Sequence, residues 1–335
     1  MDLPLLVPSF SSKGFGFYVE KSEGTERVHS ETNGALDVLG AYLHESFLIS
    51  AYDLFHDHYA SPKKHLETPR LLFLDSGGYE LAPEFDSTEP KITPVRNLPF
   101  SFENYLAVLD DLVETNSDAS ILVANYDWDT KHTPFERQIQ SSKRLFDSYP
   151  HWGKNLLLKP ASDRSDVIEV DALLPVVAEL RDFDVVGVTE KELGHDLLDR
   201  LRRLARLRVL LTRNDIHVPI HVWGGLDPTI TPLYYFAGGE IFDGVSWMRY
   251  YLHEGLAVNL ESSIQIRGDL AAPYDESIVT ALSSNISYLA GLATSLQVFG
   301  SSENQDFTVF EHGRENLKRA FETMRSQISE LEEIW

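Results

Sequence analysis

The chain has 335 residues, 43% of them hydrophobic, with 52 acidic against 29 basic residues and a formal net charge of −23. That length and apolar content suit one large barrel or two medium domains, and the charge argues against a free-standing nucleic-acid binder, which needs a basic balance or patch to meet phosphates. The chain has no cysteine, which excludes disulfides, thiolate nucleophiles and cysteine-ligated metals. No apolar stretch approaches the roughly 18 residues of a membrane span. The opening Met1–Pro8 lacks a basic region and is broken by prolines, so no signal peptide is expected and the cytoplasm is the default location.

Residues 1–35 are mixed and polar, with no clear period. Leu36 to Phe55 reads as a helix feeding a strand over Phe47–Tyr52, and a second strand follows at Leu71–Leu74. Residues 81–100 are rich in proline and charge and read as a long loop. Phe102 to Val113 has helical spacing. Apolar runs then recur at Ile121–Ala124, Leu156–Leu158, Val185–Val188, Ile220–Trp223 and Ile241–Val245. Amphipathic helices are expected between them at 134–146, 166–181, 195–209 and 230–237. Strand and helix alternating in this way predict a parallel α/β fold. A doubly wound sheet usually carries a glycine fingerprint after its first strand, and none is present. The expectation is therefore a (β/α)8 TIM barrel over 1–300, with a C-terminal helical extension over 301–335. In that extension, after a linker at 300–307, Leu317, Phe321, Met324, Ile328, Leu331 and Trp335 form a helical stripe. The stripe suits packing on the barrel; a partner-binding helix is the alternative.

Three aspartates end apolar runs. Asp75 opens Asp75-Ser76-Gly77-Gly78-Tyr79-Glu80, Asp127 follows Ile121–Ala124, and Asp243 lies in Ile241-Phe242-Asp243-Gly244. In a barrel, the end of a parallel strand is where chemistry is placed. Other segments join them in order: Tyr126-Asp127-Trp128-Asp129-Thr130, Thr133-Pro134-Phe135-Glu136-Arg137, Val185-Val186-Gly187-Val188-Thr189-Glu190, His221-Val222-Trp223-Gly224-Gly225, and Arg249 six residues after Asp243. This ordered set resembles the tRNA-guanine transglycosylase superfamily, which exchanges guanine for a 7-deazaguanine in RNA or, in one branch, in DNA. The resemblance covers roughly residues 45–295. It implies a (β/α)8 fold and a queuine/archaeosine-type pentosyltransferase activity through a covalent aspartyl intermediate. By that resemblance Asp243 is the nucleophile and Asp75 sits beside the base and handles its proton. Asp127 accepts from the ring N–H and exocyclic amine of a guanine-like base. Backbone groups at Gly187 and Val188 bind the base edge, Arg249 meets phosphate or ribose, and Ser76, Gly77 and Gly78 shape the pocket. No cofactor is implied.

The chain departs from the family at several points. The usual structural zinc is held by three cysteines and a histidine; here there is no cysteine, and Ser284 of Ser283-Ser284-Asn285 stands where the histidine would be, so no metal is expected. Lys159 replaces the glutamine that reads the base carbonyl, and could donate to the same oxygen. Glu80 replaces the glutamine after Gly-Gly-Tyr. The arginines 200, 202, 203, 206, 208 and 213 sit on and after one helix whose leucines face inward, so they read first as a solvated face. Contact with tRNA or DNA would need that local basic patch or a partner. Two other readings stay open: a non-catalytic deazaguanine-binding subunit of a multi-protein complex, one possible setting being anti-phage defence, and an unrelated sugar hydrolase using two barrel carboxylates.

Overall fold

The computed structural model describes residues 3–12, 17–22, 25–56, 66, 69–81, 98–114, 120–127, 132–302 and 304–335. Eight parallel strands close into a barrel: β1 (Leu5–Phe10), β4 (Ser46–Ser50), β5 (Leu71–Asp75), β6 (Ser120–Ala124), β7 (Gly153–Leu158), β8 (Val185–Thr189), β9 (Ile220–Trp223) and β10 (Ile241–Gly244). Strand β1 closes the ring, pairing with β10 through Leu5–Ile241 and with β4 through Ser9–Leu48. Hairpins lie outside the barrel: β2 (Phe17–Ser22) with β3 (Thr25–Ser30), and β11 (Tyr250–His253) with β12 (Leu256–Asn259).

The strands are buried on both faces, which is why they read as continuous apolar runs. Their side chains separate by the two-residue period. Val7, Leu48, Phe73, Leu122, Leu157, Val185, Trp223 and Ile241 fill the barrel interior. Leu6, Phe47, Leu72, Leu74, Ile121, Leu156, Val186, Val188, Val222 and Phe242 point outward and pack beneath the helices. The helix Leu197–Arg213 shows how the outer layer forms: Asp196 caps it by accepting from Asp199 N–H at 2.8 Å, and Leu201, Leu204, Leu207 and Leu211 bury one face.

Several expectations are corrected. Residues 1–35 hold a barrel strand and a hairpin rather than unpatterned chain; Pro8 and the flanking serines break the apolar run that would have marked β1. The strand read as Phe47–Tyr52 ends at Ser50, and the helix Ala51–Phe55 begins at once. The segment read as a helix over 166–181 is a 3-10 helix over Val170–Asp182, with Pro175 inside it; proline removes the amide an α-helix would need there. The start of the linker at 300–307 is the end of a helix, Tyr274–Ser301. Most of the 81–100 loop lies outside the described residues.

The C-terminal stripe packs on the barrel. Phe321, Met324, Ile328 and Leu331 are buried in the same outer core as Phe236 and Phe299. The Trp335 indole donates to Phe236 O at 2.6 Å, and Arg213 pairs with Glu333 at 2.5 Å. The stripe thus takes the first of its two expected roles, packing against the barrel, with Leu317 and Trp335 partly buried at its ends.

At the position where the resemblance would place zinc, the residues do not fit one. The Ser284 hydroxyl bonds back to Thr280 O in its own helix, and the buried Asn285 donates to Trp247 O and Tyr250 O and accepts from Leu252 N–H at 2.6–2.7 Å. Asn285 thus joins the long helix to the β11 strand by hydrogen bonds.

Candidate active site

The parity that puts apolar side chains inside the barrel also puts Ser9, Ser50, Asp75 and Asp243 inside at the C-terminal ends of their strands, and Asn155, Gly187 and His221 inside at mid-strand. Asp127 and Lys159 follow the ends of β6 and β7. The mouth therefore gathers polar groups from most strands of the ring, and Asp53, Asp75, Glu80, Asp127 and Asp243 are all buried there.

Asp243 has a dedicated set of donors. Its Oδ1 accepts from Gly224 N–H at 3.0 Å and lies 3.0 Å from His221 Nε2. Its Oδ2 accepts from the Ser9 hydroxyl at 2.9 Å. An ionised carboxylate offers about four lone-pair sites. Three are engaged, and the remaining one is on Oδ2.

Asp127 is held on both oxygens. The Ser76 hydroxyl donates to Oδ1, and Lys159 Nζ lies 3.0 Å from Oδ2. Lys159 reaches Glu192 at 3.1 Å as well, and Thr189 donates to that same Glu192 oxygen. Burial acts to lower the Lys159 ammonium, but Asp127 and Glu192 outweigh it and hold it above the ordinary lysine range. The Lys159 backbone is clamped by Gln138, which accepts from its N–H and donates to its carbonyl, both at 2.9 Å. Gln138 sits in the first turn of the helix Phe135–Ser148, which gives the Thr133-Pro134 helix opening a direct role in placing Lys159.

Asp75 is pushed well above the ordinary aspartate range, first by burial and then by the charges of Glu80, Asp127 and Asp243; the Gly77 N–H at 3.3 Å opposes the shift. Both effects favour the protonated form of Asp75 over what an exposed aspartate would show. Glu80 is pushed up to about 7 by burial and by Asp53. The Ser11 and Ser50 hydroxyls donate to Glu80, and Ser12 donates to Asp53 through its N–H at 2.8 Å and its hydroxyl. The segment Ser9-Phe10-Ser11-Ser12, which sequence reasoning passed over, thus supplies donors to three buried carboxylates. Its only signal was serine density after a short apolar run.

The glycines of the first motif make close approach possible. Gly77 has φ +91 and lies against Tyr52, and a Cβ at Gly78 would stand 2.9 Å from Asp127 Oδ1. Asp127 cannot swing away freely, being tied to Ser76 and Lys159. Gly78→Ala should cost about 1–2 kcal/mol of stability by forcing that carboxylate aside; a urea midpoint equal to wild type would contradict the tight seat.

The other expected contacts sit differently. Gly187 is paired on both sides, with Leu157 and His221, and a Cβ there would collide with the Trp223 indole. The Val188 side chain is turned outward into the core beneath the helices. Arg249 is at the rim, its guanidinium 3.4 Å from the Tyr79 hydroxyl. Trp223 was missed as a site residue: its ring stacks on His221 with centroids 4.2 Å apart, and its Nε1 is buried without a partner.

The candidate basic patch is largely neutralised. Arg200 pairs with Glu190, Arg203 with Asp199, Arg206 with Asp171, Arg208 with Glu240 and Arg213 with Glu333. These arginines offer little free positive charge to a phosphate backbone. Among the described residues no group of three or more histidine, aspartate or glutamate side chains is arranged to hold a metal ion. No helix there is long and apolar enough to cross a membrane. No protein-family model matches the chain, and no curated protein does either.

Proposed function

We propose that this protein binds a guanine or 7-deazaguanine base at the barrel mouth and exchanges it at a ribosyl carbon through a covalent Asp243 intermediate. The observation that carries the reading is the gathering of Asp75, Asp127 and Asp243 at one mouth, each in a different setting. Asp243 is oriented by three donors and keeps an open lone pair on Oδ2. Burial and the neighbouring carboxylates favour the protonated form of Asp75. Asp127, paired with Lys159, presents acceptors beside a cationic donor. A guanine edge offers a carbonyl followed by a ring N–H and an exocyclic amine, one acceptor beside two donors, the complement of that pair.

The chemistry balances as follows. Asp243 Oδ2 attacks the anomeric carbon as the carbon–nitrogen bond breaks, its electron pair passing to the base, which takes the proton from Asp75. The nearby anion stabilises the oxocarbenium-like transition state. The incoming base then loses its N–H proton to Asp75 as its nitrogen attacks the same carbon and expels Asp243.

The non-catalytic reading retains one point in its favour: with Arg200, Arg203, Arg206, Arg208 and Arg213 paired, this surface offers a polyanionic acceptor little attraction unless a partner supplies it. One experiment separates the two readings. Calorimetry with guanine and 7-deazaguanine should show binding that weakens about 10- to 100-fold in Asp127→Ala, the loss of charge-assisted hydrogen bonds. Asp243→Asn should keep that binding and abolish incorporation of labelled guanine into unfractionated tRNA or DNA. Binding without incorporation by the wild-type protein selects the binding subunit; absence of binding rejects both.

A further inference from the structure

We propose that Asn155 is a positioning residue for Asp243, acting through His221, which it fixes as the neutral tautomer with its proton on Nε2. The consequence for catalysis rests on the reading of Asp243 as nucleophile; the tautomer itself does not.

The three side chains form a buried line across the barrel interior. Asn155 Nδ2 lies 3.0 Å from His221 Nδ1, and His221 Nε2 lies 3.0 Å from Asp243 Oδ1. All three are at least nine-tenths buried, so water does not arbitrate among them. An amide NH2 only donates, so Nδ1 accepts; an ionised carboxylate only accepts, so Nε2 donates. The amide orientation has its own cause. Asn155 Oδ1 and Trp223 Nε1 are both buried, neither makes a hydrogen bond, and both flank Gly187, where a Cβ would meet each of them, so the oxygen rather than the NH2 lies on the side of the indole N–H. Turning the amide would bring its NH2 to the side of the indole N–H and set donor against donor. Trp223 also stacks on the imidazole and Phe73 meets its edge at 5.6 Å between centroids, so the ring cannot rotate away.

The arrangement decides which oxygen attacks. Two N–H donors converge on Oδ1, from His221 and Gly224, while Oδ2 has only the Ser9 hydroxyl. If the imidazole presented Nδ1–H to Asn155 instead, the neutral ring would turn a bare nitrogen toward Oδ1, and Asp243 would lose an anchor. Asn155 thus sets the direction of a carboxylate it does not touch.

The test is nitrogen-15 NMR of the full-length protein labelled at histidine, with His221→Gln identifying the resonances. The wild-type protein should show a proton-bearing Nε2 and a bare Nδ1 for His221. In Asn155→Asp the new carboxylate should draw a proton onto Nδ1. A protonated Nδ1 in the wild-type protein overturns the proposal, whether or not the variant folds. If guanine incorporation is demonstrated, Asn155→Asp should lower kcat on the order of 10- to 100-fold with the KM for guanine unchanged. An unchanged kcat alongside the expected spectra defeats the positioning role and leaves the base-exchange reading standing. Failure of wild-type incorporation defeats that reading and leaves the tautomer assignment to the spectra.

Discussion

Replacing Lys159 by methionine should destabilise the protein by about 3–5 kcal/mol, the usual consequence of stranding buried charges without their partner. The Lys159, Asp127 and Glu192 side chains are 13%, 5% and 15% exposed, so water cannot take the ammonium's place for either carboxylate. The lysine also sets the polarity of the mouth, as a buried cation among Asp53, Asp75, Glu80, Asp127 and Asp243. Adding Asp127→Asn to Lys159→Met should restore part of the loss, because one stranded charge is removed. Urea unfolding of the single and double variants measures both effects. A loss below about 1 kcal/mol in the single variant would place this triad with ordinary surface pairs.

Glu80→Gln should stabilise the protein above neutral pH and have much less effect near pH 5. The sign follows from the direction of the shift. Glu80 rises from an ordinary 4.5 to about 7 in the folded protein, through burial and the charge of Asp53. The unfolded chain therefore releases this proton near the ordinary value while the folded protein keeps it, and stability falls as the pH rises through the folded value. The stability that a protonated Glu80 contributes is fully present below about 4.5 and lost above about 7. At roughly 1.4 kcal/mol per pH unit of displacement the loss approaches about 3 kcal/mol by pH 8. Asp75, also raised, adds to the same slope. A glutamine at 80 carries no proton to lose, so the gap between variant and wild type should widen from pH 5 to pH 8 in urea unfolding. Parallel stability profiles would mean that Glu80 is not the group responsible.

The barrel itself was legible before any coordinates. Strands buried on both faces cannot alternate apolar with polar, so Leu71–Leu74, Ile121–Ala124 and Val185–Val188 stand out as unbroken runs. The helices between them show the complementary period. Strand β1 escaped because Leu5–Phe10 is short, contains Pro8 and Ser9, and is followed by Ser11 and Ser12. Its place in the ring is set by pairing with β10, more than 230 residues away in the chain, and with β4. Local composition carries no trace of such pairing. The hairpin Tyr250–His253 with Leu256–Asn259 and the helix Tyr274–Ser301 escape for a related reason: Asn285 of the helix is tied to Trp247, Tyr250 and Leu252, 33 to 38 residues away in the chain.

The sequence by itself determined that carboxylates stand at strand ends. Asp75, Asp127 and Asp243 each follow an apolar run in a chain whose elements alternate, and parallel barrels expose those ends on one face. Only the tertiary structure decided what each carboxylate is. Closure of the ring brings Ser9 from one end of the chain to Asp243 near the other, sets Lys159 against Asp127, and lines up Asn155 and His221 behind Asp243. Burial there raises Asp75 and Glu80. The protonation state of an acid depends on the solvent it has lost and on the charges around it. Both are set by neighbours distant in sequence.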